Sequence, residues 1–336
     1  MNRRPIVLGI VGDSAAGKTT LTGGLAQLLG NDVVTKICTD DYHKYDRVER
    51  AEHKITALHP DCNYIDIIEL HLERLHYGQP ILKPVYDHSN GTLIRPEYLQ
   101  PKEIVISKGL LGYLTPVMRR FYDVKVYLSP PEDVRRVWKI KRDCTKRGYK
   151  AEQVIKELTA REDDSRDFIH PQREFADIIV EFFPPEGVSA EDINGNLNVR
   201  LILRPTIHHP DISYLFDDKD SEEAGIRMTL GRDTGKPVDI LEIDGNVTAE
   251  HADKLAKTIW EHLPNKIRLP SEQFGNYQAD NETRHSHPLA LTQLFLTYHL
   301  LRERELNPLP IFAKPVAALS RILPQQAAAA SEGEVK

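Results

Sequence analysis

Short apolar runs alternate with helical patterns over the first half of the chain. Strands are predicted where the runs are rich in Val and Ile, at Ile6–Val11, Val33–Cys38, Ile104–Ser107, Val124–Leu128 and Ile178–Phe183. Between them, apolar residues recur at helical spacing, after the first run and at Ile65–Leu75, Glu132–Arg142 and Glu152–Arg161. This alternation predicts an α/β fold, with a mostly parallel sheet covered by helices on both faces.

The pattern changes after Pro185. The segments Asn198–Arg204 and Val238–Ile243 alternate apolar and polar residues in the manner of half-buried strands, which suggests an antiparallel extension. Helical spacing returns from Ala252 to Leu263 and again from Pro288 to Glu305, the latter with its apolar residues on one side. The extension is therefore predicted to contain both strands and helices.

A chain of 336 residues is long enough for one large domain or two modest ones. No internal repeat is visible, and the change of pattern suggests a boundary. The last residues, with four consecutive alanines, have the composition of a disordered tail. We predict a core (1–205), a C-terminal extension packed on that core (206–324) and a disordered tail (325–336).

A glycine-rich segment follows the first predicted strand of this core. Gly12–Thr19 matches the pattern G-x-x-x-x-G-K-[ST] and leads into a helical pattern. That context is typical of a phosphate-binding loop, whose backbone N–H groups point at phosphate oxygens. Lys18 would reach the β- and γ-phosphates of ATP, and the Thr19 hydroxyl would ligate Mg²⁺. The predicted nucleotide-binding residues are Gly12, Asp13, Ser14, Ala15, Ala16, Gly17, Lys18, Thr19 and Thr20.

Composition argues against several other classes of protein. The formal net charge of -6 gives no sign of a general nucleic-acid-binding protein. No apolar run is long enough to cross a bilayer, and the first strand follows Met1 too closely to leave room for a signal peptide. Cys38, Cys62 and Cys144 are too few and too scattered for a disulfide framework or a zinc site. We expect a cytoplasmic protein with no nucleic-acid or membrane partner.

Two acidic residues, Asp40 and Asp41, follow the second predicted strand. Ligands of open α/β sheets bind at the carboxyl ends of the strands, so these residues are expected near the phosphate loop. A carboxylate there can accept the proton of a hydroxyl that attacks the γ-phosphate. The alternative is that the segment only forms a turn or a helix cap, which Asp also favours.

Several stretches together resemble the phosphoribulokinase and uridine kinase family, most closely its cyanobacterial and plant phosphoribulokinase type. The resemblance covers most of residues 5–263, and no stretch after the phosphate loop would be specific alone. It implies a P-loop kinase fold with its core at residues 1–205, ATP and Mg²⁺ as cofactors, and a homodimer. It rests on the phosphate loop and on Cys38–His43, Thr56–Pro60, Asn63–Asp66, Lys83–Gly91, Trp138–Asp143, Arg147–Gly148 and Leu241–Gly245.

The resemblance also implies roles for individual residues. The family's catalytic base is the first acidic residue after the second strand, so Asp40 is the candidate base and acts with Lys18. The implied metal ligands are Thr19, Asp40 and Asp41. The implied substrate-binding residues are His43 and Arg47 at sugar-phosphate positions, Tyr86 and His88 in a segment that closes on the acceptor, and the phosphate-binding Lys139, Arg142 and Arg147.

Without the resemblance, these residues also allow purely structural explanations. Either His43 or His88, taken alone, would more often be a structural histidine. Lys139 and Arg142 lie three positions apart on one helix face, which would usually be a solvated surface. Near a phosphate loop, with Arg147 at the expected helix end, phosphate binding becomes the better explanation, because guanidinium groups grip phosphate oxygens at two points.

One position departs from the family's pattern. Lys108, before Gly109, stands where the family has an acidic residue that helps to hold Mg²⁺. Two unit charges about 4 Å apart interact by roughly 4 kcal/mol at an effective dielectric constant of about 20, so the reversal matters. Lys108 could point away, could neutralise phosphate charge itself, or could mark a weak or inactive kinase that still binds its ligand. Our hypothesis is reduced but real kinase activity.

A second departure concerns redox control. Plant-type members of the family pair a cysteine in the phosphate loop with one just before the catalytic Asp. Cys38 matches the second of these, but Ala16 replaces the first. The resemblance therefore implies that this disulfide is missing, and we predict that the protein has no thiol switch.

The sequence thus predicts ATP-dependent phosphoryl transfer to a hydroxyl of a sugar phosphate, with ribulose 5-phosphate, which would become ribulose 1,5-bisphosphate, as the first candidate. A uridine kinase is the main enzymatic alternative, although its acceptor lacks a phosphate and would not need the same basic residues. A nucleotide- or metabolite-binding regulator is the non-enzymatic alternative, and Lys108 favours it. The region after residue 263 matches the family only faintly and has no predicted role beyond packing or assembly.

Overall fold

The computed structural model describes residues 4–192, 197–212, 225–263, 275–279 and 282–306. The strands in chain order are β1 (Ile6–Gly12), β2 (Val34–Cys38), β3 (Ile81–Asp87), β4 (Thr92–Leu99), β5 (Ile104–Gly109), β6 (Val124–Leu128), β7 (Ile178–Phe183), β8 (Asn198–Leu203), β9 (Ile226–Asp233), β10 (Lys236–Ile243), β11 (Asn276–Ala279) and β12 (Glu282–His285).

Helices connect most of these strands. They are α1 (Lys18–Leu29), α2 (Arg47–Glu52), α3 (Ile65–His76), α4 (Pro116–Arg119), α5 (Glu132–Arg147), α6 (Ala151–Ala160), α7 (Glu162–Asp164), α8 (Ala249–Glu261) and α9 (His287–Leu306). Shorter 3₁₀ turns lie at Thr39–Asp41, Pro60–Cys62 and His170–Phe175, and a π-helical turn lies at Ser165–Ile169.

One eight-stranded sheet organises the fold, in the order β2-β5-β1-β6-β7-β8-β10-β9. Five neighbours in this order pair in parallel, namely β2, β5, β1, β6 and β7. The last three strands, β8, β10 and β9, add antiparallel pairs. The predicted α/β fold with an antiparallel extension is confirmed. The sheet continues across the predicted boundary at residue 205, and the division into a core and an extension stays a prediction.

The central strand β1 shows why the sheet is covered on both faces. All of its residues are buried, because it lies between two parallel neighbours. Side chains alternate between the faces of a strand, so Leu8 and Ile10 join one apolar cluster while Val7 and Val11 join the other. The first cluster packs under α1, α8 and α9, and the second under α3 and α4.

Helix α9 is buried almost all round, not on one side as its sequence pattern predicts. Thr292, Gln293, Thr297 and His299 are fully buried beside its apolar residues. The helix packs against α1 at Gly24, where an added Cβ would lie 2.0 Å from Gln293 Nε2. The close approach of two helices thus depends on a missing side chain in α1.

Several elements differ from the sequence prediction. The hairpin of β3 and β4 and the edge strand β9 were not predicted. β4 and β9 are largely exposed, and β3, although partly buried, is too interrupted by polar residues and a proline to form a continuous apolar run. Helix α5 continues to Arg147 and ends at Gly148, whose φ of 70° suits glycine. The predicted tail at 325–336 lies outside the described residues. No helix in the described ranges is both long and apolar enough to span a membrane.

Candidate active site

The phosphate loop forms as predicted between β1 and α1. Gly17 adopts a left-handed conformation with φ 95°, and α1 begins at the next residue, Lys18. The Lys18 ammonium donates to the carbonyl groups of Gly12 at 2.7 Å and Asp13 at 2.8 Å. Burial lowers the pKa of Lys18, and the nearby Asp40 and Asp13 carboxylates oppose that shift. Lys18 therefore lies inside the loop, where a phosphate chain would meet it.

The Asp13 carboxylate holds the outer side of the loop in place. It accepts hydrogen bonds from the Ser14 backbone N–H at 2.5 Å and from the Ser165 hydroxyl. Arg135 Nη1 lies 3.5 Å from the same carboxylate and donates to the Ser14 carbonyl at 3.1 Å.

Of the other predicted nucleotide-binding residues, Ala15 has a left-handed φ of 68°, Ala16 is buried in the core, and Thr19 and Thr20 are exposed.

Lys108 lies at the carboxyl end of β5 and points at the phosphate loop. In the sheet it pairs with Ile10 of β1 and Cys38 of β2. Its Nζ donates to Thr19 Oγ1 at 3.0 Å. The next residue, Gly109, has no room for a side chain, because an added Cβ would lie 1.7 Å from Thr39 Oγ1. The reversed charge is thus directed at the hydroxyl that was predicted to ligate Mg²⁺.

The acidic residues after β2 have different partners. Asp40 Oδ1 accepts a hydrogen bond from the Leu110 backbone N–H at 3.1 Å. Asp41 Oδ2 accepts one from the buried Lys83 ammonium at 2.7 Å, and the Tyr86 N–H lies 3.5 Å from its Oδ1. Asp40 is therefore placed beside the loop, while Asp41 holds β3 against the 3₁₀ turn at Thr39–Asp41.

These contacts test whether the site fits a protein-held Mg²⁺. In phosphoryl-transfer sites Mg²⁺ takes most of its ligands from phosphates and water, and one or two from protein oxygens. A cation ligated by Thr19 would lie beside the Lys108 ammonium, and Asp41 is already engaged by Lys83. The residues present therefore fit a Thr19-bound Mg²⁺ poorly.

His43 lies next to these carboxylates and is buried. Its Nδ1 lies 2.8 Å from Asn63 Oδ1, and its ring meets the Tyr86 ring edge-on, with 4.8 Å between centroids. Burial lowers the pKa of His43 to about 4, although the Asp40 charge acts in the opposite direction. His43 is therefore neutral at physiological pH and could offer hydrogen bonds but not a charge.

Two arginines tie the β3–β4 hairpin to α2. Arg47 Nη2 donates to the His88 carbonyl at 3.0 Å, and Arg50 Nη2 donates to the Tyr86 hydroxyl at 2.6 Å. Desolvation lowers the pKa of His88, while the Asp40 charge opposes this shift and the Arg147 charge adds to it. Sequence reasoning missed Arg50, although its position one helical turn after Arg47 could have drawn attention to it.

One buried carboxylate organises the predicted basic cluster of α5. Asp143 is fully buried and lies 2.7 Å from Lys139 Nζ, 2.8 Å from Arg142 Nε and 3.4 Å from Arg147 Nη1. Burial alone would raise the pKa of Asp143, but hydrogen bonds from Arg142 and Lys139 outweigh it and the pKa is lowered. Lys139 is itself buried, whereas Arg142 Nη2 reaches Ser14 Oγ at 3.4 Å. Arg142 thus connects the cluster to the phosphate loop.

A cavity of ≈ 130 Å³ lies beside the loop, between α5 and α6. Arg135 borders it and is fixed by two hydrogen bonds to Glu132, both at 2.7 Å. Sequence reasoning did not single out Arg135, because one more arginine in a charged helix carries no signal of its own. The walls are Asp13, Ser14, Leu58, Glu132, Arg135, Arg136, Lys139, Leu158, Arg161, Glu162, Ser165 and His170.

Comparisons with known proteins show which enzymes the chain is similar to. A phosphoribulokinase from Synechocystis is 34% identical over 256 residues, which cover 72% of this chain and 77% of the relative. A chloroplastic phosphoribulokinase from wheat, Triticum aestivum, is 32% identical over 295 residues, with 78% of this chain and 72% of the relative covered. The structure of phosphoribulokinase from Rhodobacter spheroides superposes with a TM-score of 0.57 at 17% identity, over 76% of this chain and 95% of that one, which shows a shared fold.

The family model for phosphoribulokinase and uridine kinase matches residues 7–189. This range runs from the phosphate loop through Asp40 and the basic cluster of α5 to β7. Enzymes of this family are ATP-dependent kinases that use ATP and Mg²⁺. The chain belongs to the phosphoribulokinase / uridine kinase family.

Proposed function

We propose that the protein transfers the γ-phosphoryl group of ATP to a hydroxyl of a pentose phosphate, with ribulose 5-phosphate as the first candidate. The observation that carries this proposal is the position of Asp40. It follows β2, accepts the Leu110 N–H and is close enough to Lys18, His43 and His88 for its charge to act on the pKa of each. A base near both a phosphate loop and the groups that would bind an acceptor is the arrangement that phosphoryl transfer needs.

Each residue then has a defined task. The acceptor oxygen forms a bond to the γ-phosphorus as the bond to the leaving ADP oxygen breaks, and Asp40 takes the hydroxyl proton. Lys18 stabilises charge on the transferring group. Arg142 and Arg147, held by Asp143, lie where a second anionic group could bind. His43, Arg47, Tyr86 and His88 would form the wall around the sugar.

A coupled assay of ADP release tests the acceptor. It compares ribulose 5-phosphate with uridine, and extends to a panel of pentose and hexose phosphates. We expect turnover with a sugar phosphate and none with uridine, because the basic groups near the pocket suit an acceptor that already carries phosphate. Uridine as the better acceptor would reject the proposal in favour of a uridine kinase.

The contact between Lys108 and Thr19 supports a second candidate, a nucleotide- or metabolite-binding regulator with weakened kinase activity. An ammonium beside the expected metal position favours anion binding more than metal-assisted transfer. Tight ATP binding without phosphoryl transfer to any acceptor in the panel would support this candidate. Slow but measurable transfer would support the reduced activity that the sequence predicts.

We propose a homodimer in the cytoplasm, on the basis of the family resemblance and of the bacterial relative. Size-exclusion chromatography with light scattering tests the dimer. A monomer at micromolar concentration would reject it.

A further inference from the structure

Lys108 holds a specific position between two parts of the candidate site. Its strand, β5, lies between β1, which leads into the phosphate loop, and β2, which leads to Asp40. Carboxyl ends of parallel strands meet at one edge of the sheet, so its side chain emerges between loop and base. The ammonium is half-buried there and donates to Thr19 Oγ1 at 3.0 Å.

The chemistry of that contact differs from that of a metal ligand. A lysine ammonium has three N–H donors and no acceptor, and the bond to Thr19 uses one donor. The other two remain for oxygens of a phosphate chain that enters the loop. A carboxylate at this position would instead attract a cation and repel phosphate oxygens.

The surrounding charges strengthen this difference. Lys18 reaches into the loop from the start of α1, and Arg142 reaches Ser14 from α5. Asp41 is paired with Lys83, so its charge is already compensated. A phosphate chain in the loop would therefore meet cationic side chains from three elements, α1, α5 and β5.

We propose that Lys108 is a phosphate-binding residue that takes over much of the charge compensation usually supplied by Mg²⁺, so that this chain binds ATP with little dependence on a divalent metal. The inference rests on the proposed function, because it requires ATP in the loop. It concerns binding of the nucleotide and involves no bond-making step. It also gives the departure from the family's acidic residue a chemical role.

Calorimetric titration of the full chain with ATP, in excess EDTA and in Mg²⁺, tests the proposal. We expect the wild-type dissociation constants in the two conditions to agree within about threefold. In Lys108→Met, metal-free affinity should fall about tenfold or more. In Lys108→Glu it should fall further, and Mg²⁺ should restore it more strongly than in the wild type.

Controls separate this effect from misfolding. Lys36→Met removes an exposed lysine from the neighbouring strand β2 and should leave both affinities unchanged. Thermal unfolding of each variant shows whether it is folded. Lys108→Met and Lys108→Glu give two independent measurements of how Lys108 affects metal-free ATP affinity. If wild-type affinity for ATP is about tenfold or more weaker in EDTA than in Mg²⁺, the inference about Lys108 is wrong but the proposed function can still hold. Absence of ATP binding in every condition overturns the proposed function as well.

Discussion

The ammonium of Lys108 lies 3.0 Å from the hydroxyl oxygen of Thr19, which joins the end of β5 to the start of α1. This hydroxyl is the metal ligand that the sequence predicts, and we propose that the contact makes the site favour phosphate over a metal ion. Binding and catalysis can therefore respond to this contact in opposite directions.

Replacing Lys108 with Glu should raise Mg²⁺-dependent turnover. The substitution removes a positive charge beside Thr19 and supplies a carboxylate to a metal bound with ATP. We expect an increase in kcat of about tenfold or more at saturating Mg²⁺, equivalent to about 1.4 kcal/mol in the barrier. Steady-state kinetics with the best acceptor from the panel measures it. Equal rates for the wild type and Lys108→Glu would contradict the idea that Lys108 weakens catalysis.

Replacing Asp40 with Asn should abolish most of the turnover but leave ATP binding intact. The amide oxygen can still accept the Leu110 N–H, while the side chain can no longer take a proton. Loss of a general base lowers kcat by about 10²- to 10⁴-fold. Asp253→Asn, which changes an exposed carboxylate on α8, is the matched control. Loss of less than about tenfold in kcat would exclude Asp40 as the base.

Adjacent glycines of α1 should respond oppositely to alanine. A Cβ at Gly24 would meet Gln293, whose side chain is buried and accepts the Gly275 N–H at 3.0 Å, so overpacking should cost about 1–3 kcal/mol of stability. A Cβ at Gly23 meets nothing within 4 Å, and alanine there should stabilise the helix by about 1 kcal/mol. Denaturant unfolding of both variants measures the difference. Equal effects would show that α1 and α9 do not pack closely.

Acid should destabilise the protein partly through His299. Burial lowers the pKa of His299 to about 3, whereas the unfolded side chain titrates near 6.5. The unfolded state therefore binds an extra proton as pH falls below about 6.5, and stability is lost progressively from there toward the folded-state pKa. The loss should be on the order of a few kcal/mol.

Unfolding free energies of the wild type and His299→Gln between neutral and acid pH measure that contribution. The decline should be shallower in the variant. His53→Gln, at an exposed histidine, should match the wild type. Parallel pH profiles for the wild type and His299→Gln would remove His299 as the source.

Mild oxidation should not switch the activity. Cys38 faces no cysteine in the loop because Ala16 occupies that position, and burial raises the pKa of the Cys38 thiol to about 12. Very little reactive thiolate then exists at neutral pH. Turnover after treatment with a disulfide oxidant and then a dithiol reductant measures the effect, with Cys38→Ser as control. Reversible loss of activity in the wild type alone would show that a switch exists.

Sequence patterns predicted the sheet because its central strands are continuous apolar runs. They could not show the β3–β4 hairpin, whose exposed residues leave no such run. Motif spacing likewise indicated the phosphate loop, while the pairing of Asp41 with Lys83 depends on residues far apart in sequence. Partners of a charged side chain are set by tertiary packing, which a local pattern does not contain. Arg50 and Arg135 escaped notice for the same reason.

Asp143 also has a consequence for the entropy of ligand binding. Because this single buried carboxylate engages Lys139, Arg142 and Arg147, their long side chains are already restricted in the free protein. An immobilised long side chain otherwise costs about 0.5–1.5 kcal/mol when a ligand binds. Much of this entropy is lost when α5 folds, so the cationic groups are preorganised before an anion binds.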